Sequence, residues 1–209
     1  MIKVIFFDFW GTLVENGVWS PIKQVRTILG INAPFEEYVV RMEKAMMTTK
    51  FESLREAFQA LCDEFNITPT NEQMDSLVGM WNKSWMLAKP YDETISTLQR
   101  LQKKYDLVLV SNTDGFSIDS VLEKFGLRQY FKEVFLSYEI GKIKTDKEFF
   151  PLVLKNLGVQ AEECMMVGDS IQSDIIPAQL VGIKAVLLDR RNQREAEVKI
   201  TNLSELENL

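Results

Sequence analysis

The chain has 209 residues, 46% of them hydrophobic, with a formal net charge of −6 and no histidine. That suits one α/β domain with a smaller insert, or two small domains, and the acidic balance argues against a nucleic-acid partner. Without histidine, a Ser–His–Asp triad, a Cys–His pair and a His-ligated zinc site are all excluded, so carboxylates, lysine, hydroxyls, cysteine or backbone amides must carry any chemistry.

The first predicted strand is IKVIFF, residues 2–7, an apolar run that stops at Asp8 and is followed by Trp10, Gly11 and Thr12. Met-Ile-Lys leads straight into it, without the basic region, apolar segment and small-residue cleavage pattern of an export signal. No apolar run approaches the length of a membrane span. A cytoplasmic protein with no membrane partner is expected.

From about residue 18 to 88 no strand pattern occurs. Helical patterns cover 21–30, 34–47, 51–65 and 71–87; the second starts after Ala33-Pro34 and the fourth after the turn Thr68-Pro69-Thr70-Asn71, which supplies an N-cap. Met42, Met46, Met47, Met80, Trp81 and Trp85 read as helix packing. Cys62 in the third helix and Cys164 further on read as small core residues, and two isolated cysteines do not make a disulfide framework.

Beyond residue 88, helices at 92–105, 117–127, 146–158 and 173–182 alternate with strands at 106–111, 133–137, 163–168 and 183–188. The strands are near-continuously apolar, as parallel strands covered on both faces are. The expectation is a doubly wound, mostly parallel α/β sheet, built from residues 1–16 and 89–209 and interrupted by a helical domain at 17–88, with hinges near 14–19 and 87–91.

Open parallel sheets bind ligands beyond the carboxyl ends of their strands. Asp8 and Thr12 follow the first strand. Ser111, Asn112, Thr113 and Asp114 follow the second, Lys142 and Lys144 the third, and Asp169, Ser170 and Asp174 the fourth. Each acid alone reads as a helix cap or turn residue; their arrival at one sheet edge is what points to a site. Crowded carboxylates need a cation, and oxygen ligands alone favour Mg²⁺ over zinc. Lysine, serine and asparagine add donors for an anion. Together these describe phosphoryl transfer, with Asp8 as the nucleophile.

The segments FFDFWGTLVE, LVLVSNTDG, GKIKTDKEFF and MMVGDSIQSD, in this order and spacing, resemble the four motifs of the haloacid dehalogenase-like (HAD) hydrolase superfamily. The resemblance covers nearly the whole chain. It extends to the helical insert, which is similar to the cap that one subfamily carries between its first two motifs, and to the closing VKITNLSEL. It implies that Asp8 forms an aspartyl-phosphate, that Ser111 and the amide of Asn112 hold the transferring phosphoryl, and that Thr12 and Trp10 lie at the substrate. Lys144 would neutralise charge, with Lys142 as the fallback and Thr145 standing where the family pattern has proline. Mg²⁺ would be held by Asp8, Asp169 and the backbone carbonyl of Trp10, with Asp174 supporting the metal or orienting Lys144. The implied substrate is a small phosphorylated metabolite and the implied assembly a monomer or homodimer.

Trp10 departs from the phosphatase pattern, which places a second aspartate there to protonate the leaving oxygen and then activate water. An indole has only an N–H donor. Loss of a general acid/base typically costs about 10²–10⁴ in rate. An aromatic at this position resembles the 2-haloacid dehalogenases, for which Arg26 or Arg41 could hold a substrate carboxylate; the retained Asp169 and Asp174 point back to phosphate. The leading expectation is a Mg²⁺-dependent phosphohydrolase favouring good leaving groups, with Asp114, Glu15 or a cap acid replacing the missing aspartate. The other readings are a dehalogenase and a catalytically feeble phosphate- or metabolite-binding protein. Trp19, Trp81, Trp85 and Tyr91 are the aromatic candidates for substrate contact.

Overall fold

The computed structural model describes residues 1–208. Chain order runs β1 (Val4–Phe7), β2 (Val14–Glu15), α1 (Pro21–Leu29), α2 (Phe35–Met46), α3 (Leu54–Glu64), α4 (Asn71–Met86), β3 (Lys89–Pro90), α5 (Thr94–Leu101), β4 (Asp106–Ser111), α6 (Ile118–Lys124), β5 (Glu133–Leu136), α7 (Ser137–Ile140), α8 (Phe149–Leu157) and β6 (Cys164–Gly168). A π-helical turn at Ile171–Ile175 then leads into α9 (Ile176–Leu180), β7 (Lys184–Leu188) and β8 (Lys199–Ile200).

Six strands form one parallel sheet in the order β5-β4-β1-β6-β7-β8. Side chains alternate across it. Ile5 and Phe7 of β1 pack with Leu107 and Leu109 of β4 beneath α5 and α6. Val4 and Phe6 pack with Val108, Val110 and Met166 beneath α8 and α9. This double coverage explains why the strands read as unbroken apolar runs. Phe7 is in register with both Leu109 and Val167, so the chain leaves β1, β4 and β6 at nearly one level. That alignment, at the point where the strand order reverses, opens the crevice for a site.

Helices α1–α4 bury a separate core around Tyr38, Met42, Met46, Phe58, Leu61, Leu77 and Trp81. Thr70 caps α4 through a reciprocal pair with Gln73, and α1 ends at Gly30 in the left-handed region (φ 64°). Cys62 and Cys164 are free and buried. Among the described residues no helix is long and apolar enough to cross a membrane.

Some boundaries differ from expectation. The segments expected to be plain linkers pair as a two-stranded antiparallel ribbon, Val14 with Pro90 and Glu15 with Lys89. The expected helix at 173–182 begins as the π turn and ends at Leu180. β8 adds a sixth strand beside β7. Elements of two residues are too short to show any periodicity.

Candidate active site

Asp8 follows β1 directly, and its N–H donates to the Val167 carbonyl at 3.0 Å. The sheet therefore holds its backbone while the side chain enters the crevice. Lys144 arrives from the loop between α7 and α8. Its side chain is 2% exposed, with Nζ 2.6 Å from Asp8 Oδ1 and 2.5 Å from Asp174 Oδ1. Burial works against the ammonium, but the Asp174 and Asp8 carboxylates outweigh it and hold its pKa above the ordinary lysine value. Lys142 is instead partly exposed and 3.8 Å from Glu148.

Asp174 lies on the π turn, where its second oxygen accepts from the Ser170 N–H at 2.9 Å. Burial, opposed by Lys144 and reinforced by Asp8, pushes its pKa up to about 6. Asp169 follows β6. Burial, then the charges of Asp8 and Asp174, push its pKa up to about 8. Asp8, Asp169 and Asp174 each offer a carboxylate oxygen, all within 4.8 Å of one another. Three carboxylates against one bonded ammonium leave excess negative charge. The donor set is all oxygen, so the residues fit a hard divalent cation.

Two glycines make this crowding possible. A Cβ on Gly168 would lie 2.2 Å from Asp174 Oδ2, and one on Gly11 2.5 Å from Asp169 Oδ2; Gly11 also sits at φ +81°. The Ser111 and Thr12 hydroxyls are fully buried and without a partner among the described residues. Unsatisfied buried donors at a strand end suit an anion. The Asn112 side chain accepts from the Lys144 N–H at 2.9 Å and donates to Glu43 of α2 at 2.8 Å.

The Trp10 indole N–H donates to Thr113 Oγ1 at 3.1 Å, and its ring stands edge-on to Phe9 at 4.9 Å. Its only donor is thus committed inside the core, and the ring forms a wall of a cleft of about 970 Å³ between sheet and helical insert. Asp114, a candidate for the missing acid, is fully engaged. It accepts from the Phe116 and Ser117 N–H groups, from the Ser117 hydroxyl, and from the Trp81 indole at 2.9 Å. Glu15 is exposed on β2. Arg41 bonds Glu37 and Glu64, and Arg26 bonds the Ile31 and Ala33 carbonyls; neither lines the cleft. Of the aromatic candidates, Trp19 is exposed at the rim, Trp85 donates to Asn82, and Tyr91 lies 3.4 Å beneath the Arg190 guanidinium.

Glu43 was not among the residues the sequence singled out. It lies on the cleft-lining side of α2 beside Glu36, Val39 and Val40, and a charge on such a mixed helix face gives no signal in the sequence. Arg190 and Arg194 were also missed; they donate to the Thr12 and Asp169 carbonyls, and Arg194 itself lines the cleft.

A family model for haloacid dehalogenase-like hydrolases matches residues 2–182. The chain belongs to that family. It is 31% identical to the glyceraldehyde 3-phosphate phosphatase of Methanocaldococcus jannaschii, over 99% of this chain and 96% of that one. It is 30% identical to the enzyme of the same name from Methanopyrus kandleri, over 94% and 88%. The crystal structure of a HAD phosphatase from Thermococcus onnurineus superposes with a TM-score of 0.64 at 25% identity, covering 99% of this chain and 97% of that one. The chain sets Asp8, Ser111 and Asp169 at the carboxyl edge of its parallel sheet, with the four helices α1–α4 inserted between β2 and β3.

Proposed function

We propose that this HAD hydrolase is a Mg²⁺-dependent phosphohydrolase that acts on a small phosphorylated metabolite through an aspartyl-phosphate on Asp8. The observation that carries the reading is the Asp8–Lys144–Asp174 bridge with Asp169 beside it. Lys144 holds Asp8 in orientation and balances charge on the nucleophile and the incoming phosphoryl. The Ser111 and Thr12 hydroxyls, otherwise without partners, donate to phosphoryl oxygens. Asn112 fixes the loop that carries Lys144. Asp8, Asp169 and Asp174, with the backbone carbonyl of Trp10, would hold Mg²⁺, which when bound neutralises the carboxylates and the transferring group.

Residues 1–16 and 89–209 act in this proposal as the catalytic core and 17–88 as a cap that excludes water, with the β2–β3 ribbon at its base as hinge. The names of the two archaeal relatives make glyceraldehyde 3-phosphate the first natural substrate to try. The protein is read as cytoplasmic, a monomer or homodimer, with neither nucleic acid nor membrane as partner. Neither arginine named for the dehalogenase reading lines the cleft, so that alternative rests on the aromatic Trp10 alone, and halide release without metal would identify it.

The test is release of p-nitrophenol from its phosphate ester with Mg²⁺ or with EDTA, beside Asp8→Asn. Turnover that needs both metal and Asp8 supports the reading. Turnover that survives Asp8→Asn overturns it.

A further inference from the structure

Resting on the phosphohydrolase reading, we propose that Glu43 of the cap helix α2 is the proton donor and acceptor that Trp10 cannot be. Glu43 is 8% exposed, yet it lines the same cleft as Asp8 and Lys144. Its Oε2 accepts from Asn112 Nδ2 at 2.8 Å, and Asn112 in turn holds the Lys144 backbone. Its Oε1 has no hydrogen-bond partner among the described residues. The other acids near the cleft are spoken for or badly placed. Asp114 is saturated by four donors, Glu15 is exposed, and Glu36 is exposed and bonded to Gln172. Asp8, Asp169 and Asp174 form the nucleophile and cation cluster.

The proton count closes. In the first step an Asp8 oxygen bonds to phosphorus and the ester P–O bond breaks. The electron pair of that bond goes to the leaving oxygen, which takes the proton from Glu43 Oε1 and departs as an alcohol. In the second step the Glu43 carboxylate takes a proton from water as the water oxygen bonds to phosphorus. The bond from phosphorus to Asp8 breaks, its electron pair returns to Asp8, and phosphate leaves. Glu43 ends protonated, ready for the next ester.

The groups that face it from other elements are Lys144, Asp8 and Asp174. Burial pushes the Glu43 pKa up; Lys144 and the Asn112 hydrogen bond oppose this, Asp174 and Asp8 reinforce it, and the balance lies at about 7. Both protonation states are then accessible at neutral pH, as an acid that must become a base requires. Because Glu43 rides on the cap, proton transfer is available only with the cap docked.

Glu43→Gln in the full-length protein tests this, because the glutamine carbonyl can still accept from Asn112 and keep the cap docked. With a simple alkyl phosphate, kcat/KM is expected to fall by about 10²–10⁴-fold, and the ionisation near pH 7 should vanish from the pH profile. With 2,4-dinitrophenyl phosphate, whose leaving group needs no proton, kcat/KM should fall less than about tenfold. One equivalent of dinitrophenol should then appear in a burst before a slowed steady state, since the second step lacks its base. Equal losses on both esters with an unchanged pH profile would make Glu43 a structural anchor and overturn the proposal. Asp8→Asn run in parallel separates the two levels: if it abolishes turnover while Glu43→Gln behaves like wild type, only the Glu43 assignment fails; if it does not, the reading beneath fails.

Discussion

Lys144 Nζ bridges Asp8 and Asp174, 2.6 Å from one carboxylate and 2.5 Å from the other, with all three side chains almost wholly buried. The ammonium is what allows two carboxylates to share that volume. Removing one partner of a buried pair typically costs about 3–5 kcal/mol, because the charge left behind is uncompensated. Lys144→Met is therefore expected to lose about that much stability in urea at pH 8 without added metal. The loss should shrink at pH 5, where Asp169 and Asp174, with pKa values of about 8 and about 6, have taken up protons. A loss that is the same at both pH values would mean that the carboxylates do not depend on Lys144 for their charge balance.

Gly168→Ala should damage the site through a single methyl group. The new Cβ would lie 2.2 Å from Asp174 Oδ2 and 2.3 Å from its Cγ, so Asp174 must move off Lys144. Overpacking of this kind costs about 1–3 kcal/mol, and turnover of p-nitrophenyl phosphate should fall by at least about 10²-fold as the charge cluster is misplaced. Gly30→Ala is the control. Nothing lies within 4 Å of its Cβ, although φ is +64°, so it should cost stability through backbone strain while leaving kcat untouched.

Metal binding should be linked to protons through Asp169. Its folded pKa of about 8 lies well above the ordinary 3.8. For a raised acid, the stability contribution is fully present below the unfolded pKa and is lost as pH rises through the folded one. The metal-free protein should therefore lose Asp169's contribution between about pH 4 and pH 8. Mg²⁺ binds the ionised form and so takes back what ionisation costs. The rise in Tm on adding Mg²⁺ should be larger at pH 8.5 than at pH 6, and calorimetric titration at pH 7 should show proton release. Equal increments at both pH values would remove Asp169 from the ligand set.

The outline of this cleft was legible because its parts stand at the ends of strongly apolar runs. Asp8 and Asp169 each follow, and Ser111 ends, a strand covered on both faces, and the register of Phe7 with Leu109 and Val167 brings those ends together. The motif resemblance ranked Lys144 above Lys142, which stood as the fallback, whereas composition and spacing alone could not, since two residues apart in a loop they differ only in which one points inward. Asp114 looked like a free acid but accepts from the Phe116 and Ser117 amides of the turn leading into α6 and anchors Trp81. Glu43 was invisible for a related reason. Periodicity assigns a charge beside the Tyr38–Met42–Met46 core stripe to solvent, and only the docking of α2 over Asn112 buries it. The β2–β3 ribbon was lost to its length alone.

Trp10 gives the sharpest remaining contrast. Its indole N–H is bound to Thr113, whose hydroxyl also contacts the Asp114 carbonyl at 3.3 Å. Trp10→Phe therefore removes one hydrogen bond and part of a packed ring, which should cost roughly 0.5–1.5 kcal/mol for the bond, while the pH profile keeps its shape because no proton passes through the indole. Trp10→Asp places a carboxyl where the phosphatase pattern has one, at the cost of another negative charge beside Asp8. On its own it should change alkyl phosphate turnover modestly, since Glu43 already handles the proton. In the Glu43→Gln background it should recover a large part of the lost rate, because the second acid then has work to do. Failure of that rescue, with both variants folded and Mg²⁺ bound, would mean that the Glu43→Gln defect does not lie in proton transfer.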